Sequence, residues 1–150
     1  MEIIQSTLLS SIPGLKHGFF RPGIPRHFEK NMSFKQASPE IVLQARQTAC
    51  DLLGISYEHL THVYQEHGTE IVTVREKHRG AGALTGQHQI GQGDALITEA
   101  TRVPIAILIA DCLPIFYASS DASVVGLAHA GWRGTRSEEH TSELQSRFGI

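Results

Sequence analysis

Cysteine is scarce in this chain, two in 150 residues, which argues against a small scaffold stapled by disulfides and leaves Cys50 and Cys112 to be read as thiols, ligands or nucleophiles. Runs of lysine or arginine are absent. With 13 basic and 15 acidic residues the net charge is -2, so there is no electrostatic footprint for nucleic acid or an anionic membrane. No apolar stretch approaches the length of a membrane span, and the opening MEIIQSTLLSSIPGLKHGFF lacks the basic start and apolar centre of a signal peptide. Short metal motifs of the HExxH and CxxC kind are missing as well. The glycines Gly80, Gly82 and Gly86 sit one residue off a dinucleotide fingerprint, and the sequence after them opens no helix. Together these absences point to small-molecule partners in the cytoplasm, with no nucleic acid and no membrane.

Apolar residues make up 41% of the chain, enough for the core of one globular domain. The spacing predicts a helix over 38–54: Ser38 caps it, Pro39 suits the first position, and Gly54 supplies a left-handed residue past its end. Ile41, Val42, Ala45, Ala49, Leu52 and Leu53 form its apolar stripe, and Cys50 lies off the centre of that stripe as a small, half-buried residue. From residue 60 the pattern turns to strands. THVYQ and EIVTVRE are expected to pair as a hairpin through EHGT, and RGAGALTGQHQIGQGD reads as a long surface loop. DALITEA, VPIAILIADCLPIFYAS and ASVVGLAHAG supply further strands, with 105–109 apolar enough for a central strand buried on both faces. One helix followed by many strands, without regular alternation, predicts an α+β fold with mixed β-sheets.

Three side chains fall where an apolar segment gives way to a turn: His67, Cys112 and His129. Two imidazoles and a thiolate are good zinc donors, and three protein ligands leave a fourth position open, as in catalytic sites. The residues are scattered, and on spacing alone the ordinary readings lead: a core thiol for Cys112, a strand cap for His67, a satisfied buried imidazole for His129. The glycines beside both histidines shift the balance, because they permit close approach by backbone or ligand.

The blocks YQEHG, GDALIT, ADCLPI and HAGWRGT, in this order, resemble the signature of the laccase-domain, or purine nucleoside phosphorylase, family, formerly described as multicopper polyphenol oxidases. The resemblance runs from about residue 16 to Thr135. It implies that His67, Cys112 and His129 bind one zinc ion, within an α+β fold with an unusual arrangement of sheets. It also implies phosphorolysis of adenosine, inosine, guanosine and methylthioadenosine, with deamination of adenosine as a second activity. Purine nucleoside and phosphate are then the partners, and zinc activates a water for attack at the purine C6. Arg21 and Arg133 are candidate phosphate partners because a guanidinium fork matches two phosphate oxygens. Asp94 and Asp111 adjoin the site and are candidates to orient a ligand imidazole, and Trp132 is a candidate to stack on a purine. The amino-terminal block FFRPGIPRHFEKNMSF keeps Arg21, Gly23 and Asn31 but departs from the family pattern by losing a second glycine.

Three alternatives stand beside this reading. Copper, serving a polyphenol oxidase, also takes two histidines and a cysteine. A metal-free cysteine hydrolase would use Cys112 as nucleophile and His129 as base. The third is an inactive truncated remnant. Residues 136–146, RSEEHTSELQS, are similar to the translation of a sequencing-library adapter, so 136–150 is expected to be a non-native tail and the domain to be 1–135, incomplete at its carboxy-terminal end.

Overall fold

The computed structural model describes residues 1–21 and 31–131. Trp132, Arg133 and the segment 136–150 lie outside the described residues. Among the described residues, eight strands and two α-helices follow in the order β1 Glu2–Ile4, α1 Thr7–Ser10, β2 Phe19–Arg21, α2 Pro39–Leu53, β3 Thr61–His62, β4 Ile71–Val74, β5 Ala95–Thr98, β6 Ile105–Ala106, β7 Leu113–Ala118 and β8 Val125–Ala130. The fold is α+β.

Helix α2 forms where the pattern places it. Pro39 opens it after Ser38, and Gly54 closes it at φ 59°, the left-handed conformation that glycine adopts without strain. Its buried face is Val42, Ala45, Arg46, Ala49 and Cys50, which is rotated from the expected stripe. Leu52 points outward at 51% exposure. The rotation has a cause in Arg46, which is only 3% exposed. Its guanidinium donates to the carbonyls of Met32, Gly82 and Ala83 at 2.6–3.2 Å and lies over the Phe34 ring. A long side chain with that many donors satisfies orphan carbonyls that an aliphatic residue would leave bare. Burial lowers its pKa to about 10, and burial likewise pushes the Cys50 thiol up to about 11, so Cys50 stays protonated.

The strands form three sheets. β1 and β2 pair antiparallel, β3 and β6 pair parallel, and a mixed sheet runs β4-β5-β8-β7, parallel only between β4 and β5. The expected hairpin through EHGT does not occur: β3 pairs with β6, and β4 pairs with β5. Nor is 105–109 a central strand. Only Ile105–Ala106 is extended, in a two-stranded sheet, and its side chains are half-buried. The glycine-rich stretch is a loop, as expected, but it is packed at its start, with Ala83 fully buried and the Gly82 and Ala83 carbonyls held by Arg46. Val63, Val74, Leu96 and Val103 form the core cluster, with Val72, Ile105 and Ile107 packed against it.

Candidate metal centre

The register of β5 and β8 builds the first half of the site. Ala95 lies opposite Ala128, so Asp94, just before β5, meets His129 near the end of β8. The His129 backbone N–H donates to the Asp94 carbonyl at 2.7 Å, and its ring Nδ1 lies 2.7 Å from Asp94 Oδ1. Both side chains are buried. The same carboxylate accepts three successive amides, Glu66 at 3.2 Å, His67 at 3.0 Å and Gly68 at 2.6 Å. Consecutive N–H groups converge on one anion when the chain enters the left-handed region, the concave arrangement known as a nest. His67 is at φ 62°, a conformation that costs a residue with a side chain on the order of 1 kcal/mol or more. Asp94 therefore fills a nest made by the loop that carries His67.

Burial pulls the Asp94 pKa upward, but the hydrogen bonds from His129 and from the amides of Gly68, Glu66 and His67 outweigh it, and the net shift is downward. An ionised Asp94 can only accept. His129 must then carry its proton on Nδ1, which leaves its Nε2 lone pair available to a metal.

Cys112 arrives from another direction. It lies in the turn immediately before β7 rather than at the end of a long buried strand, and Pro114 of β7 pairs with His129. Its thiol donates to Asp111 Oδ1 at 3.6 Å. One ligand atom each from His67, Cys112 and His129 lies within 4.8 Å of the others. The imidazoles of His67 and His129 meet edge to face at 4.7 Å between centroids. Gly131 leaves the room this requires, since a Cβ there would come within 3.2 Å of His67 Cδ2. The donor set fits a divalent ion: two neutral imidazoles and a thiolate, one imidazole oriented by a carboxylate, need only a small closure to share one coordination sphere. His67 is exposed, Cys112 half-buried and His129 buried, so the site opens to solvent on the His67 side. It opens into a groove of about 1650 Å³ whose lining includes all three, with Tyr64, Gln65 and Asp111.

The remaining candidates are placed differently. Arg21, on β2, forms a two-point ion pair with Glu2 at 2.7 and 2.9 Å, with both side chains about half exposed. Asp111 accepts from the Cys112 thiol, and among the described residues no hydrogen bond joins it to an imidazole. Sequence reasoning passed over Gln65, which holds the backbone of Leu108 through both ends of its amide. It lies inside the block YQEHG, and its signal was position: a long amide two residues before a candidate ligand.

Two imidazoles and a thiol gathered at a sheet rim give this α+β domain a candidate metal site. The chain belongs to the multi-copper polyphenol oxidoreductase laccase family, whose model matches residues 25–148. It is 37% identical over 94 residues to the purine nucleoside phosphorylase YlmD of Geobacillus stearothermophilus, covering 63% of this chain and 34% of that protein. It is 34% identical over 94 residues to the adenosine deaminase RL5 of an unknown prokaryotic organism, covering 63% and 36%. The crystal structure of YlmD from Geobacillus stearothermophilus superposes with a TM-score of 0.71 at 32% identity, over 81% of this chain and 46% of that one. The chain thus spans between about a third and under half of the length of the curated relatives it matches. Among the described residues no helix is long and apolar enough to cross a membrane.

Proposed function

We propose that this chain carries the metal centre of a zinc-dependent purine nucleoside phosphorylase, acting on adenosine, inosine, guanosine and methylthioadenosine, with adenosine deamination as a second activity. The observation that carries the reading is the convergence of His67, Cys112 and His129 with Asp94 behind His129. The names of the relatives support the substrate class. When bound, zinc supplies Lewis acidity and activates water.

The chain's own residues supply the rest. Asp94 fixes the tautomer of His129 and the bend at His67, so the donors are arranged before substrate arrives. In phosphorolysis a phosphate oxygen bonds to the ribose C1′ as the bond from C1′ to the purine nitrogen breaks, and the base leaves with the electron pair and takes up a proton. Arg21 and Arg133 are the proposed phosphate partners; Arg21 would exchange the Glu2 carboxylate for phosphate, a like-for-like swap of planar oxygen pairs. Asp111 is the proposed acceptor that steadies the Cys112 side chain.

Copper remains the alternative ion for the same donor set, and an intense blue thiolate band with oxygen-dependent phenol oxidation is its signature. The buried Asp94–His129 pair beside Cys112 also supports a metal-free cysteine hydrolase, which full activity after chelation, abolished by alkylation of Cys112, would establish. The direct test incubates the zinc-loaded chain with adenosine, with and without phosphate. Adenine released only with phosphate, and inosine formed in either buffer, is the expected result. A folded, zinc-loaded form extended to the length of the relatives that yields neither product contradicts the reading, whereas failure of the 150-residue chain alone favours the truncated remnant.

A further inference from the structure

We propose that Gln65 is a positioning residue that sets the reach of the Cys112 thiolate to the metal; this rests on the metal reading above. The parallel ladder between β3 and β6 ends at His62 and Ala106. Beyond it the backbone of Tyr64 turns away, its N–H donating to the Gly91 carbonyl and its carbonyl accepting from the Gly93 N–H. The segment 107–112, which leads to Cys112, is outside any strand. The Gln65 side chain takes over as the missing neighbour. Its Nε2 donates to the Leu108 carbonyl at 2.8 Å and its Oε1 accepts from the Leu108 N–H at 2.8 Å.

Glutamine is the side chain that can do this. Leucine has neither group, glutamate lacks the donor, and asparagine is one methylene short. The clamp joins two arms of the site at a fixed separation: Gln65 is two residues before His67, and Leu108 is four before Cys112. Asp94 already ties the His67 arm to His129. Gln65 completes the set by tying the same arm to the third ligand.

The test uses cobalt(II) as the probe in the 150-residue chain and in Gln65→Leu, with Gln65→Asn as the second variant should the first not fold. The unsubstituted chain is expected to bind one cobalt with a near-ultraviolet thiolate band and tetrahedral visible bands. The variant is expected to bind about 10–100-fold more weakly and to lose most of the thiolate band at saturation while imidazole coordination persists. A residue that only stabilised the fold would lower the melting temperature and leave that band unchanged, and a variant with the original band and affinity overturns the proposal. Amide hydrogen exchange of the metal-free chain gives an independent reading: the Leu108 N–H should exchange at least about tenfold faster in the variant, with β5 and β8 unchanged. If the unsubstituted chain binds no cobalt, the metal reading fails by itself, and unchanged exchange at Leu108 overturns the clamp.

Discussion

At the scale of single residues, Asp94 carries more of the site than any ligand. It is 3% exposed and holds one imidazole and three amides, so its replacement disturbs two candidate ligands at once. Asp94→Ala is expected to lower zinc affinity by about 10–100-fold and to destabilise the chain by about 2–4 kcal/mol, since buried donors lose their acceptor. Competition with a chromophoric chelator and urea denaturation measure the two effects; an unchanged affinity would remove Asp94 from the account. The residue was legible in the sequence as the aspartate of the GDALIT block and as a candidate to orient a ligand imidazole. What the sequence does not display is the left-handed bend at His67, because a positive φ in a non-glycine residue is imposed by tertiary contacts, here the carboxylate that gathers the amides of 66–68.

At the scale of elements, the bounds of α2 were readable because Pro39 and Gly54 mark its ends locally, although Ser38 makes no side-chain cap bond and the buried face is rotated, whereas β3, β4 and β6 were misread because strand pairing is decided by distant partners. EHGT looks like a turn between two strands, yet the segments on either side pair with β6 and β5. The burial of Arg46 was equally illegible, since it depends on carbonyls from Met32 and Gly82. Arg46→Leu is expected to cost about 3 kcal/mol or more by leaving those carbonyls unsatisfied, read as a lower urea midpoint with an unchanged slope. Within β3, His62 is 4% exposed and its Nε2 has no partner among the described residues. Burial, with Arg46 nearby, lowers its pKa to about 3 against a pull upward from the Ala106 carbonyl. The unfolded chain therefore binds a proton at His62 that the folded chain refuses. Stability is full above pH about 6.5 and is lost as pH falls toward about 3, with a slope of up to about 1.4 kcal/mol per pH unit from this group. His62→Phe should flatten the pH dependence between pH 6.5 and 5; an unaltered slope would show that His62 is not buried in its neutral form.

At the scale of the whole molecule, three separate stretches of chain meet at one point. His67 comes from a loop, Cys112 from a turn and His129 from a strand, and each is held by a different device: a nest, a side-chain clamp and a sheet register. Metal binding to such a site couples to folding. Chelation is expected to lower the thermal midpoint, and free zinc at a hundred times its dissociation constant to add about 2.7 kcal/mol of stability. Differential scanning calorimetry at several zinc concentrations checks this, and a midpoint independent of zinc would deny the coupling. The central claim is that these three side chains grip a single ion. X-ray absorption at the zinc edge tests it most directly on the chain loaded with one equivalent. The account predicts two imidazole nitrogens at about 2.0–2.1 Å and one sulfur at about 2.3 Å, with the sulfur lost in Cys112→Ser; a zinc shell without sulfur, or no stoichiometric uptake, would contradict it.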